Sequence, residues 1–204
     1  MSIKRRIDGT ELSLSIAEIG IALLVIDVPI VIKLGIDNFC AIILTGSKEA
    51  TVNIFVTSDC PIKSAHYLDD KRKVKMALES TQMLCTALNA NGVKTPYKTG
   101  HLNHPCTIWA RASQQNWLWL WQHAMELCHE YHRIYGKPHA CVKVLNEIKD
   151  QYKVLPDVGQ TPFANCARSK ERGIDFTTEQ DVSIAYKLYL NERWDNDKRE
   201  PTWS

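Results

Sequence analysis

Two long stretches of the chain repeat their apolar residues at helical spacing, and they restrict the fold more than any other feature. In KRKVKMALESTQMLCTALNANG (71–92), Val74, Leu78, Thr81, Cys85 and Leu88 fall along one stripe, and Gly92 supplies the stop. In ASQQNWLWLWQHAMELCHEYHRIYG (112–136), Trp117, Trp121, Ala124, Cys128, Tyr131 and Tyr135 share a face, and Gly136 closes the run. Three shorter helices each have a proline placed to open them: 61–70 from Pro61, a short turn from Pro105, and 138–152 from Pro138. A last helix is expected over 179–193, with Val182, Ala185, Tyr186 and Tyr189 inward. Residues 155–178, with Pro156, Gly159, Pro162 and Gly173, read as a loop. VNIFVTS (52–58) is β-branched and aromatic and reads as a short strand. The expectation is a mainly α fold with a short N-terminal β element.

Residues 1–51 differ from the rest. They contain neither Trp, Tyr nor His, whereas residues 52–204 are rich in all three. One reading is a β-rich N-terminal subdomain, since β-branched runs bounded by Gly, Pro and Asn suit strands. The other concerns translation. Lys48-Glu49-Ala50 can be encoded by AAG GAG GCN, which contains a strong bacterial ribosome-binding site, and Val52 can be GTG, an alternative start codon. On that reading 1–51 is an upstream extension, and the helical catalytic or binding domain is 52–204. The apolar run 16–32 is interrupted by Glu18, Asp27 and Pro29, so no membrane span is expected there.

The formal net charge is +2, which excludes a strong global field and leaves a local patch as the only way to attract nucleic acid. Seven cysteines, without a CxxC pair, suit reduced thiols in a cytoplasmic protein rather than a disulfide framework. Five of the seven histidines fall between His101 and His132, which draws attention to HLNHPCTIWAR (101–111). A zinc site there would use His101, His104 and Cys106, with Cys60 or His66 as a fourth ligand. The HxxHxC spacing matches no usual structural zinc pattern, so no metal is expected. With Pro105 opening a helix, His104 sits at the cap, where backbone amides suit a phosphate. A turn pinned by a satisfied histidine explains the same residues.

On 71–92, Lys71, Lys75, Glu79 and Gln82 stack along one face, with Arg72 alongside and Met76 and Met83 bordering it. A carboxylate flanked by Lys and Arg suits acid/base work in a phosphate-attracting cleft, although a solvated face has the same spacing. Glu126, His129, Glu130 and Arg133 lie on the less apolar side of the second long helix, and Lys137 and His139 start the next one.

LDDKRKVKMALESTQML, NHPCTIWAR and EYHRIYGKPH together resemble a widespread family of phage and bacterial proteins that begin with MNIFV-like residues. The first motif resembles pyrimidine-dimer DNA glycosylases: an LD pair, an Arg, then Lys, Glu and Gln at helical spacing, and later NHP. Here these are Leu68, Asp69, Arg72, Lys75, Glu79, Gln82, Asn103, His104 and Pro105, and the resemblance covers much of 52–139. It implies a helical enzyme that attacks the sugar carbon with its own α-amine and forms a Schiff base, aided by a helix glutamate and several arginines. Glu79 takes the glutamate's place. Lys75 and His104 join it as catalytic candidates, and Arg72, Gln82, Asn103, Arg111, Lys137 and His139 are substrate-binding candidates. DNA or a nucleotide is the implied partner, with no cofactor. The phage enzyme exposes a threonine amine after methionine removal, whereas here the residue after Val52 is Asn53. The alternative is a non-enzymatic phage or prophage protein that binds nucleic acid or a host factor.

Overall fold

The computed structural model describes residues 52–204, and before them only the backbone of two strands. The chain divides into two units, 1–49 and 50–204. In the first, β1 (Ile3–Ile7) pairs antiparallel with β2 (Thr10–Leu14), Ile3 opposite Leu14. The remaining expectations for 1–51, including the run 16–32, lie outside the described residues.

The second unit is helical: α1 (Pro61–Tyr67), α2 (Asp70–Asn89), α3 (Pro105–Ala112), α4 (Gln114–Tyr135), α5 (Cys141–Ile148) and α6 (Val182–Asp195). Two-residue strands β3 (Arg168–Ser169) and β4 (Ile174–Asp175) pair within the loop that precedes α6. No helix among the described residues is long and apolar enough to cross a membrane.

The centre is α4, packed against α1, α2, α3 and α5. In its WLWLW run the tryptophans are two apart, so a helix throws successive ones to nearly opposite sides. Each indole N–H finds a carbonyl on a different element: Trp117 donates to Leu84 of α2 (3.2 Å), Trp119 to Asp59 before α1 (2.6 Å), and Trp121 to Leu145 of α5 (3.0 Å). Buried indoles without such partners would be costly. Trp119 also stacks on His123, which is fully buried on the same helix and bonded to the Pro61 carbonyl at 3.0 Å. The α4 helix stops at Gly136, whose φ of 66° is the left-handed conformation that glycine adopts without strain.

Several expectations are corrected. VNIFVTS forms no ladder. It is a buried extended segment whose backbone is satisfied by side chains: Asn53 Oδ1 accepts from the Ile54 and Phe55 amides, and Ser64 Oγ accepts from the Thr57 amide and donates to the Phe55 carbonyl. Phe55 has φ 54°, which no strand tolerates. The 138–152 helix shortens to α5 and a separate 3-10 turn over Gln151–Val154, with His139 Nδ1 accepting from the Cys141 amide ahead of α5. The inward face of α2 is also rotated from the expected stripe. Thr81, Cys85 and Leu88 of that stripe are buried, but Val74 is half-exposed and Leu78 is 41% exposed, while Met76, Ala77, Ser80, Met83, Leu84 and Ala87 are buried as well. Tyr135 of α4 is likewise on the surface, and Glu130, expected on its less apolar side, is buried, as are Trp119 and His123.

The rotation of α2 carries charge inward. Arg72 donates to Asp69 (2.7 Å) and Asp197 (2.9 Å), and Asp69 also accepts from the Trp194 indole (2.8 Å), which ties α6 to the start of α2. Lys73 meets Glu130 of α4 at 2.8 Å. The paired guanidinium of Arg133 is the main cause that holds the Glu130 carboxyl down to about 2, against burial and with help from Lys73. Burial opposes ionisation of Asp70, but hydrogen bonds from Ser204 and Thr202 overcome it and lower its pKa. Buried ions survive only when paired in this way.

Candidate functional site

A pocket of about 260 Å³ opens where the extended segment meets α2 and the loop that follows it. Val52 lines it from the segment, Glu79, Gln82 and Met83 from α2, and Tyr97, Lys98, Gly100 and His101 from the loop. Each wall is fixed locally. Asn53 turns away to donate to the Cys166 carbonyl (3.1 Å), which holds residue 52 at the pocket. The Thr86 hydroxyl of α2 both donates to the Gly100 carbonyl and accepts from the Gly100 amide, each at 3.1 Å. Asn89 donates to the Tyr97 carbonyl (2.8 Å) and accepts from the Thr95 amide (3.0 Å).

Glu79 is the chemically informative member. Its side chain is only 13% exposed. One oxygen, Oε1, meets Lys75 Nζ at 3.0 Å, while Oε2 is buried and has no hydrogen-bond partner among the described residues. A buried carboxylate oxygen without a donor is costly, and such costs concentrate where a ligand or a proton is to be received. Lys75 is 62% exposed, so this ion pair adds little stability; it leaves a cation beside the carboxylate. His101 has φ 50°, a conformation that costs a non-glycine residue about 1 kcal/mol. It is retained because its carbonyl accepts the His104 amide (3.0 Å) as α3 begins. The Tyr97 phenol is pushed up to about 12, first by burial and then by its contact with Cys141, so it stays a hydrogen-bond donor at neutral pH.

The sequence-selected residues divide. Glu79 and Gln82 line the pocket and Lys75 reaches it through Glu79. Arg72 is buried and spends its donors on Asp69 and Asp197, which leaves it no exposed face for a phosphate. Asn103 is exposed, His104 caps α3 by accepting from the Cys106 amide (3.3 Å), and Arg111 is half-buried on the last turn of α3. None of these three lines the pocket. Lys137 is exposed and His139 packs edge-on against Tyr131 at the α4–α5 turn, outside the pocket walls. Tyr97, Lys98 and His101 were not singled out for this pocket. The left-handed backbone of His101 marks the loop in the structure, and no sequence pattern reveals it.

Two clusters have the composition of metal sites. His66, Glu126 and Glu130 converge, but Lys73 and Arg133 already neutralise Glu130. His104, Cys106 and Cys166 converge at the start of α3. The six described cysteines are all free thiols.

Neither the curated proteins nor the solved structures contain a match to the chain. A family model does match. Residues 52–141, under half of the chain but including every residue of the pocket wall, match the family described as pyrimidine dimer DNA glycosylase, and the match begins at the residue that lines the pocket from the extended segment.

Proposed function

We propose that this pocket is the active site of a DNA-acting enzyme that cleaves an N-glycosidic bond, with Glu79 as its acid/base group. The observation that carries the reading is the buried, partnerless Oε2 of Glu79 in a pocket that Val52 also lines. The family match makes damaged DNA the substrate class to try first.

The chemistry follows if translation starts at codon 52. The α-amine then belongs to residue 52, because asparagine in second place does not favour removal of the initiator methionine. An amine at that position attacks the sugar C1′, the C1′–N bond breaks, and the base leaves with its bonding electrons and takes up a proton. The ammonium so formed gives up a proton, the C1′–O4′ bond opens with a proton going to O4′, and an iminium is left between C1′ and the amine of residue 52. Glu79 Oε2 is placed to exchange the proton and to stabilise the cationic sugar. Lys98 and His101 supply cationic and hydrogen-bonding contacts for the flanking phosphates. With the base out of the stack, a pocket of this kind is how enzymes reach an atom hidden in a duplex.

Glu79→Gln is expected to abolish base release from ultraviolet-irradiated DNA and to leave binding and the far-ultraviolet circular dichroism spectrum intact. Undiminished release would remove Glu79 from the mechanism. The exposed ammonium groups of Lys75 and Lys98 also suit a protein that only binds nucleic acid. On that reading Lys98→Ala weakens function as much as Glu79→Gln, and no base is released.

A further inference from the structure

His104 and Cys106 face each other across the first turn of α3, on either side of Pro105, and Cys166 approaches them from the loop before β3. One ligating atom from each lies within 4.8 Å of the other two. We propose that these three side chains form a binding site for a thiophilic divalent cation of the zinc type, with a fourth position left to water or a small ligand.

The spacing between the sulfurs is the first argument. Cys106 Sγ and Cys166 Sγ are 3.8 Å apart. A tetrahedral cation with metal–sulfur bonds of about 2.3 Å has a sulfur–sulfur edge of about 3.8 Å, whereas a disulfide closes to about 2.05 Å. Rigidity is the second. Pro105 fixes the turn between His104 and Cys106. The Cys166 backbone is held at both ends, its amide by the Tyr186 hydroxyl (3.1 Å) and its carbonyl by Asn53 Nδ2 (3.1 Å). Preorganised ligands of this kind lose little entropy on binding. Charge is the third. A divalent cation with both thiols deprotonated makes a neutral site, so Cys106, which is fully buried, is left with no net charge to bury.

The ligand set differs from the one the sequence offered. His101 lines the pocket instead, and Cys166 lies sixty positions beyond Cys106, a separation outside the usual zinc spacings. The site is a clamp with a place in the architecture. It joins the start of α3 to the loop that also holds Asn53, the residue next to the pocket-lining Val52. Binding does not depend on the glycosylase reading.

The test is a titration of the reduced full-length chain with cobalt(II) chloride, read by absorption and backed by elemental analysis. The expected result is one cation per chain, with tetrahedral d–d bands and thiolate charge transfer in the near ultraviolet. Cys166→Ser and His104→Ala should each weaken binding at least tenfold, and Cys60→Ser should leave it unchanged. Cys106 is fully buried, so the half-exposed Cys166 is the safer variant, and the unsubstituted chain decides the matter if both fail to fold. Absence of a tetrahedral cobalt spectrum from the reduced chain overturns the proposal. So does a signal that persists in both variants or is lost with Cys60, and so does a chain that forms a Cys106–Cys166 disulfide on oxidation yet takes up no cobalt when reduced.

Discussion

Acidification from pH 7 to pH 5 should destabilise the fold chiefly through His123, with His139, whose pKa burial also lowers, adding in the same direction. His123 is fully buried between α1 and α4, stacked on Trp119 and donating from Nδ1 to the Pro61 carbonyl. Burial lowers its pKa from 6.5 to about 4, against the opposing effect of the backbone carbonyls. The unfolded chain therefore takes up the proton as pH falls through 6.5, and the folded chain does not until about 4. More protons are bound by the unfolded state across that window, so stability present above 6.5 is lost as pH falls. The full displacement corresponds to about 3 kcal/mol, and the part lost between pH 7 and pH 5 is about 2 kcal/mol. Glu130 barely contributes above pH 5, since its window runs from about 4.5 down to about 2. Urea unfolding followed by tryptophan fluorescence at pH 7 and pH 5 measures the loss. His123→Gln keeps a donor for Pro61 and cannot titrate, so it should be less stable at pH 7 yet lose about 2 kcal/mol less on acidification. Equal losses in the two proteins would refute the argument and place the titration elsewhere.

Arg72→Ala should cost about 3 kcal/mol of stability, because Asp69 and Asp197 are left buried around the vacated space; chemical denaturation measures it, and a change within 0.5 kcal/mol, the range of about neutral surface substitutions, would return Arg72 to the surface role its sequence suggested. Lys98→Ala should weaken DNA binding similarly for all sequences and reduce the slope of log affinity against log salt by about 0.9, as expected for one lost phosphate contact. A slope that is unchanged would place Lys98 off the DNA path. Trp117→Phe should destabilise by about 1 kcal/mol or more, since the buried Leu84 carbonyl loses its indole donor and the smaller ring underfills the α2–α4 contact.

The helices were legible because their signals are local. Pro61 and Pro105 open α1 and α3, Gly136 ends α4, and the periodicity of α2 and α4 spans several turns. The inward face of α2 was not. A sequence pattern treats Lys73 and Arg72 as solvent-facing, and only the arrival of Glu130 from α4 and Asp197 from beyond α6 lets them be buried. For the same reason Glu130 reads as part of a polar surface. The VNIFVTS segment has strand composition, but its backbone is satisfied by Asn53 and Ser64 side chains, which no propensity anticipates. The pocket was legible in the helix row that supplies Glu79 and Gln82. Its other wall rests on the unusual backbone of His101 and on the side-chain bonds of Thr86 and Asn89, which depend on the folded chain.

On the proposed mechanism Glu79 and the amine of residue 52 act together on damaged DNA. The most direct test is borohydride trapping on DNA carrying a pyrimidine dimer or an abasic site, with protein initiated at residue 52 and the full-length chain side by side. A covalent adduct is expected with the shorter protein, its mass shift mapping to residue 52. None is expected with the full-length chain, where residue 52 has no free amine, and Glu79→Gln should lose most of the adduct. An adduct that maps to an internal lysine, or a correctly folded shorter protein that neither traps DNA nor releases a base, would contradict that mechanism.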